Sequence, residues 1–360
     1  MSDARLERVI ALTEALLAVS SETGDEAEIC DLIEQRLAAG APHALVRAGV
    51  NLCVAPRPLD PEKQTVMLLG HTDTVPGHGR EEVRRDGDRL HGLGASDMKA
   101  ADAVIIDTVL RCCERPLRYN VVGVLYAAEE GPYDQSGMPE IHAAAREWFE
   151  AADLAVCMEP TDNDIELGCL GTAHATVTFA GKRAHSARPW QGDNAIHKAA
   201  GLLSRLAEYE PVAHEYHGLR FVEAISATMV DYRGARNVVP DRFTVNVNYR
   251  FPPGRDRADV ERTLGELVQG EAEWELVDYC PAGRVCADNP LVQELTEVIG
   301  DAEVRAKQAW TDVGRLSHMG LDAINWGPGA VAQAHQAGEW VSVQEVARCL
   351  RSLDRWLGAG

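Results

Sequence analysis

Several short segments of this 360-residue chain place histidine or acidic side chains where strand-like runs stop. Val121-Val122-Gly123-Val124-Leu125-Tyr126-Ala127-Ala128 leads into Glu129-Glu130-Gly131, and Val66-Met67-Leu68-Leu69 into Gly70-His71-Thr72-Asp73. Leu154 to Met158 leads into Glu159-Pro160. Asp97 stands just ahead of a stretch with helical spacing, Met98 to Leu110, and His335 follows the turn Gly327-Pro328-Gly329. Carboxylates at the end of an apolar run are costly unless something binds or uses their charge. Two imidazoles with several carboxylates and no thiolate suit zinc or a similar divalent ion in hydrolytic rather than redox work. Such a set exceeds the needs of one tetrahedral catalytic ion. It fits two ions about 3.5–4 Å apart that share a bridging carboxylate. In the Glu129-Glu130 pair one acid can hold a cation while the other handles a proton, and position alone does not say which.

Taken singly, each residue has an ordinary role as well. His71 can be a hydrogen-bonded histidine at a strand end, Asp97 a helix cap, Glu159 a turn residue before proline and His335 a surface imidazole. The combination favours one site, because ligands of open α/β sheets bind beyond the carboxyl ends of the strands.

The elements that must position these residues read as α/β. Arg5 to Leu17 and Asp25 to Leu37 carry apolar residues at helical spacing, the second with an acid-rich start. Apolar runs alternating with helices predict a mostly parallel sheet buried on both faces. From about Thr172 the style changes to period-two alternation, as in Ala173-His174-Ala175-Thr176-Val177-Thr178-Phe179, the mark of a sheet with one solvated face. Asp193 is expected to cap a helix running to about Glu208, with Ile196, Ala199, Leu203 and Leu206 on its buried face. Strands are expected at Ala224 to Val230, Phe243 to Tyr249 and Trp274 to Val277, with a helix over Ala258 to Val268 before the last. That order is β-α-β-β-α-β, the ferredoxin-like unit. After about Pro281 the α/β style returns, with a helix from Pro290 and an apolar run at Ala323-Ile324-Asn325-Trp326. The expected organisation is a catalytic domain of residues 1–171 and 282–360, interrupted by a smaller α+β domain of residues 172–281.

Bulk composition narrows the partners. A formal charge of −21 argues against nucleic acid or an anionic membrane surface, though not against an anionic small molecule. The start Met1-Ser2-Asp3-Ala4-Arg5-Leu6-Glu7 has no basic region ahead of an apolar core, so no secretory signal is expected. No apolar stretch approaches the roughly 20 residues of a membrane span. Nine cysteines, an odd number without a Cys-x-x-Cys spacing, read as reduced thiols of a cytoplasmic protein.

Together the segments resemble a known family. Gly70-His71-Thr72-Asp73-Thr74-Val75-Pro76, Gly92-Leu93-Gly94-Ala95-Ser96-Asp97-Met98-Lys99, Ala128-Glu129-Glu130-Gly131 and Glu159-Pro160-Thr161 stand in order. They look like the motifs of the dinuclear zinc deacylases and carboxypeptidases, which include aminoacylases, acetylornithine deacetylases and succinyl-diaminopimelate desuccinylases. The likeness spans nearly the whole chain, the inserted domain included. It implies that Asp97 bridges two Zn2+ per subunit, with Co2+ able to substitute at one site. His71 and Glu159 would complete one site, Glu130 and His335 the other. Glu129 would be the general base, taking a proton from the attacking water and passing it to the leaving amine. Asp73 would hold the second ring nitrogen of His71. Gly181-Lys182-Arg183-Ala184-His185 resembles the family's Gly-x-x-x-His, whose histidine reaches across a homodimer to the oxyanion in the other subunit.

Within the family the desuccinylases of actinobacteria are the most similar branch, through Gly168-Cys169-Leu170-Gly171-Thr172, Arg183-Ala184-His185-Ser186-Ala187-Arg188 and Trp310-Thr311-Asp312-Val313. Asn237-Val238-Val239-Pro240 and Asn248-Tyr249-Arg250 resemble the segment that offers an amide and a guanidinium to substrate. Arginine binds a carboxylate in a planar two-bond fork, so Arg250, with Asn237 and Thr311, is the expected contact for a succinyl carboxylate. Departures from the pattern are Cys169-Leu170 in place of an arginine pair, Ala100-Ala101 in place of glycines, and Thr72 in place of leucine. The expected activity is hydrolysis of an N-acyl amino acid, succinyl-diaminopimelate first, with an acetylornithine-type deacylase or a carboxypeptidase as the nearest alternative. A non-catalytic binding protein on the same fold should lack the base or a ligand, and all six candidates are present.

Overall fold

The computed structural model describes residues 3–77 and 82–358; Met1 and Ser2 of the amino-terminal segment discussed above lie outside them. The chain forms two compact units. One comprises Met1–Leu167, Cys286–Arg305 and Met319–Gly360, the other Gly168–Val285 and Ala306–His318. The second unit is therefore not one uninterrupted insert. Ala306–His318 joins it, tied by the Trp310 indole, which donates to the Pro281 carbonyl at 3.0 Å, and by the Leu170 amide on the Lys307 carbonyl at 3.2 Å. Those backbone and indole partners leave no trace in the hydrophobic pattern from which the boundary at residue 282 was read.

The first unit is built on an eight-stranded sheet. Its order is Ala44–Ala48, Asn51–Ala55, Asn120–Tyr126, Thr65–His71, Leu154–Cys157, Ala323–Asn325, Ile165–Leu167 and Val304–Ala306. The four central strands, Asn120–Tyr126 through Ala323–Asn325, run parallel, and the described pairings outside them are antiparallel. Every residue of Thr65–His71 and of Leu154–Cys157 is buried, as the unbroken apolar runs required. Helices Asp3–Leu17, Ala27–Ala38 and Val343–Trp356 each pack on helix Ala100–Glu114, which itself lies on the two central strands Thr65–His71 and Asn120–Tyr126. No helix among the described residues is long and apolar enough to cross a membrane.

The second unit carries a five-stranded antiparallel sheet in the order Val212–Tyr216, Leu219–Asp231, Arg242–Phe251, Gly171–Ala180 and Glu273–Cys280. Without its first member this is the ferredoxin-like strand order. Val212–Tyr216 is an added edge strand, joined to its neighbour by the tight turn at His217-Gly218. Its mixed, largely exposed sequence gave no period-two signal. One face of the sheet is closed by Ala173, Ala175, Val177, Phe179, Val245, Val247 and Phe251 against the helices. The helix expected from Asp193 to Glu208 is two pieces, Ala195–Lys198 and Ala200–Ala207. Its cap is Asn194, whose side chain accepts from the amides of Ile196 and His197, while Asp193 pairs with Lys198. Its buried face is Ala195, Ala199 and Leu202, so Ile196 is exposed and Leu203 and Leu206 only flank the core. The helix is interrupted at Ala199, which a single helical wheel cannot represent.

Candidate metal centre

The site grows out of the parallel strands. Thr65–His71 ends on His71 itself, and Asn120–Tyr126 is followed by Ala128, whose φ of 56° lies in the left-handed region that a non-glycine residue seldom adopts. The chain thus leaves strand geometry before Glu129, and two adjacent acids escape the rule that strand neighbours face opposite ways. Glu159 follows Leu154–Cys157. Asp97 sits inside a distorted turn, Ala95–Lys99, that precedes helix Ala100–Glu114, and the residue at the cap position of that helix is Lys99 rather than Asp97. His335, exposed and with φ 61°, lies in the segment after Ala323–Asn325.

The structure brings these residues together. His71, Asp97 and Glu159 present one ligand atom each within 4.8 Å of one another, and so do Asp97, Glu130 and His335. Asp97 belongs to both groups. His71, Glu129 and Glu130 form a further group by the same measure, so distance alone places both acids of the pair within reach of a cation. Nε2 of His71 lies 3.1 Å from Oδ1 of Asp97, and Nε2 of His335 lies 2.7 Å from Oε1 of Glu130 and 3.7 Å from Oδ2 of Asp97. Asp97 and Glu159 are buried.

The electrostatics match a cation site. Burial pulls the His71 imidazole down, yet the carboxylates of Asp73 and Asp97 outweigh it and hold its pKa well above the ordinary value. Burial pushes the Glu130 carboxyl up, with the Asp97 charge adding to it. His335 is lowered by desolvation but ends raised, through Glu130 and then Asp97. Nδ1 of His71 donates to the Asp73 carbonyl at 3.0 Å, so in the neutral ring the Nε2 lone pair faces the Asp97 carboxylate. Two lone-pair groups at that distance require a proton or a cation between them, and a mixed imidazole and carboxylate set suits a divalent metal. The residues present therefore fit the group.

Asp73 does more than the motif suggested. Its carboxylate stands 3.5 Å from Nδ1 of His71, farther than its own backbone carbonyl, so the carboxylate acts on the ring mainly by charge. Its oxygens instead accept from the backbone amides of Glu129 at 3.0 Å and Glu130 at 3.1 Å, and from the Thr23 hydroxyl at 2.9 Å. With His71 as the chief favourable partner, these donors outweigh burial and lower its pKa. Glu339, not singled out from sequence, accepts from three amides of the loop that carries Asp97: Gly94 at 2.8 Å, Ser96 at 2.7 Å and Asp97 at 2.9 Å. Burial brings its pKa to about 7. The only sequence hint was an acid four residues after His335.

Glu339→Ala leaves three buried amides without an acceptor and is expected to cost on the order of 2–4 kcal/mol of stability. Urea unfolding measures this. A loss within about 0.5 kcal/mol, the range of an ordinary surface substitution, would show that Glu339 does not hold the loop.

The remaining candidates lie in the second unit. His185 and Asn237 are neighbours: His185 pairs with Val238 in a two-residue ladder, and the Ser186 amide donates to the Asn237 carbonyl at 2.9 Å. Both are exposed. Arg250 is half-buried on strand Arg242–Phe251, opposite Thr172 and Ala224. Thr311 is buried, and its hydroxyl has no hydrogen-bond partner among the described residues. Among the described residues no side-chain hydrogen bond joins Arg250, Thr311 and the His185–Asn237 pair. Cys169 and Leu170, the residues noted above as a departure from the family's arginine pair, are core residues, the Cys169 thiol facing the Thr311 carbonyl.

Several known proteins are similar to this chain. A protein of Mycobacterium tuberculosis provisionally named succinyl-diaminopimelate desuccinylase is 37% identical over 350 residues, covering 97% of this chain and 98% of that protein. The succinyl-diaminopimelate desuccinylase of Corynebacterium glutamicum is 33% identical over 353 residues, covering 97% and 95%. Among solved structures, a dinuclear metal-binding peptidase of the M20 family from Bacillus subtilis shares the fold, with a TM-score of 0.74 at 15% identity over 99% of this chain and 98% of that one. The sequence description of Peptidase family M20/M25/M40 matches residues 67–359, and the chain belongs to that family.

Proposed function

We propose that this protein is a metal-dependent amidohydrolase that cleaves N-succinyl-LL-2,6-diaminopimelate to succinate and LL-2,6-diaminopimelate, a step of lysine and diaminopimelate synthesis. The observation that carries the reading is the pair of donor groups sharing Asp97, in a chain that matches named desuccinylases almost end to end. His71, Asp97 and Glu159 would hold one Zn2+, and Asp97, Glu130 and His335 the second, with Co2+ able to replace one. Bound there, zinc supplies Lewis acidity to the scissile carbonyl and to the attacking water.

The chain's own groups do the rest. The Glu129 carboxylate takes a proton from water as its oxygen bonds to the amide carbon, and returns it to the nitrogen as the C–N bond breaks. Asp73 fixes where that carboxylate starts from, through the Glu129 amide. His185 donates to the tetrahedral oxyanion, in a homodimer across to the other subunit. Arg250, Asn237 and Thr311 bind the succinyl carboxylate, and the buried, unpartnered Thr311 hydroxyl supports a polar ligand there. All nine cysteines are free thiols, which supports a reducing, cytoplasmic setting.

The test is a panel of N-acyl amino acids with zinc-loaded protein. Succinyl-diaminopimelate is expected to exceed acetylornithine in kcat/KM by on the order of 100-fold or more, because acetyl leaves the carboxylate contacts unused. The reverse order would overturn the substrate and favour a deacetylase.

A further inference from the structure

A row of polar side chains crosses the face of the five-stranded sheet that the helices do not cover. Asn248 and His174 are register partners on adjacent strands, and Arg250 pairs with Thr172 one step along. Nε of Arg250 donates to Oδ1 of Asn248 at 3.3 Å. The Asn248 amide nitrogen lies 3.1 Å from Nε2 of His174 and 3.4 Å from the Thr172 hydroxyl. On the far side of the ring, the Asn246 amide stands 3.2 Å from Nδ1 and 2.6 Å from the Thr228 hydroxyl.

The donor count fixes the direction of the chain. Asn248 is buried, and its oxygen is taken by Arg250, so only its NH2 is left for the imidazole. Nε2 of His174 must then accept, and Nδ1 carries the proton. That proton is satisfied when the Asn246 amide turns its oxygen to Nδ1 and to the Thr228 hydroxyl, an orientation set by the network. Every link from Thr228 to Arg250 is then a donor facing an acceptor.

Arg250 gains its only described side-chain hydrogen bond from this chain, and no described carboxylate lies within ion-pair distance of it. Burial lowers its pKa, so the guanidinium sits partly desolvated with Nη1 and Nη2 uncommitted. Two parallel donors on a held plane are what a carboxylate fork requires. A long arginine that must first be immobilised loses affinity in doing so, and a pre-positioned one does not.

We propose that His174 is a positioning residue for acyl selection: through Asn248 it holds the Arg250 guanidinium in the plane that binds the terminal carboxylate of the acyl group. The inference rests on the assignment of Arg250 made above. It assigns discrimination between charged and uncharged acyl chains to a histidine that touches neither substrate nor metal.

The experiment compares N-succinyl- with N-butyryl-diaminopimelate, which carries a methyl group in place of the carboxylate, in the zinc-loaded enzyme. His174→Ala is expected to raise KM for the succinyl substrate about tenfold, with kcat within twofold and the butyryl KM unchanged. His174→Gln, whose amide offers one acceptor and one donor, should restore the succinyl KM to within about threefold. Arg250→Ala is measured beside them and should remove the preference for succinyl altogether. If Arg250→Ala abolishes the preference while His174→Ala leaves it intact, the positioning role is wrong and the Arg250 assignment stands. If Arg250→Ala leaves the preference intact, both fall. An equal loss on the two substrates in His174→Ala, or a glutamine variant no better than alanine, would show a merely structural residue.

Discussion

Glu129→Gln is expected to lower kcat by about 10³-fold, within the range of a lost general base, with the bound metal remaining at the wild-type content. The substitution keeps the shape of the side chain but exchanges the basic, charged carboxylate for a neutral amide that cannot accept a proton. It spares the backbone amide of residue 129, which donates to Asp73, so the loop and the neighbouring Glu130 keep their places. Turnover measured together with metal content by elemental analysis separates this from a ligand effect. Activity within tenfold of wild type would remove Glu129 from the role of base. Glu130→Gln should behave differently and lose metal, because its Oε1 meets His335 and shares the second donor group with Asp97. Since distance places both acids near His71, this pair of variants tells base from ligand where geometry does not.

Asp97→Ala is expected to have the largest effect on metal binding. Asp97 is the one residue common to the His71–Glu159 group and the Glu130–His335 group, so its removal weakens both sites at once. His335→Ala touches one group only. After dialysis against a weak chelator, the Asp97 variant should retain little of either ion, and the His335 variant about half the wild-type content. Substitutions behind the ligands typically cost 10- to 100-fold in affinity, and loss of a shared ligand should exceed about 100-fold at both sites. Retention of wild-type metal content by Asp97→Ala would disprove the bridging assignment.

What the sequence disclosed follows a physical rule. Features that repeat along the chain or stop abruptly were legible: the apolar strands, their charged ends and the alternation of Gly171–Ala180. Groups joined only by the fold were not. Thr23 reaches Asp73 across fifty residues, and Glu339 reaches the Asp97 loop across more than two hundred. The helix after Asn194 was misread because amphipathic spacing assumes an unbroken helix, and Ala199 breaks it. Val212–Tyr216 escaped because an exposed edge strand needs no apolar face. The ring order along Thr228, Asn246, His174, Asn248 and Arg250 depends on strand register, which period-two alternation leaves open.

The grip of Asp73 on two consecutive amides ties the backbones of Glu129 and Glu130 together, so the proposed proton-handling arm and the proposed metal-holding arm would form one mechanical part. A single carboxylate accepts from both backbones, one amide on each of its oxygens. The offset between them is then set by one peptide unit, about as stiff a spacer as a polypeptide possesses. Replacing Asp73 would therefore release the backbone of both acids at once.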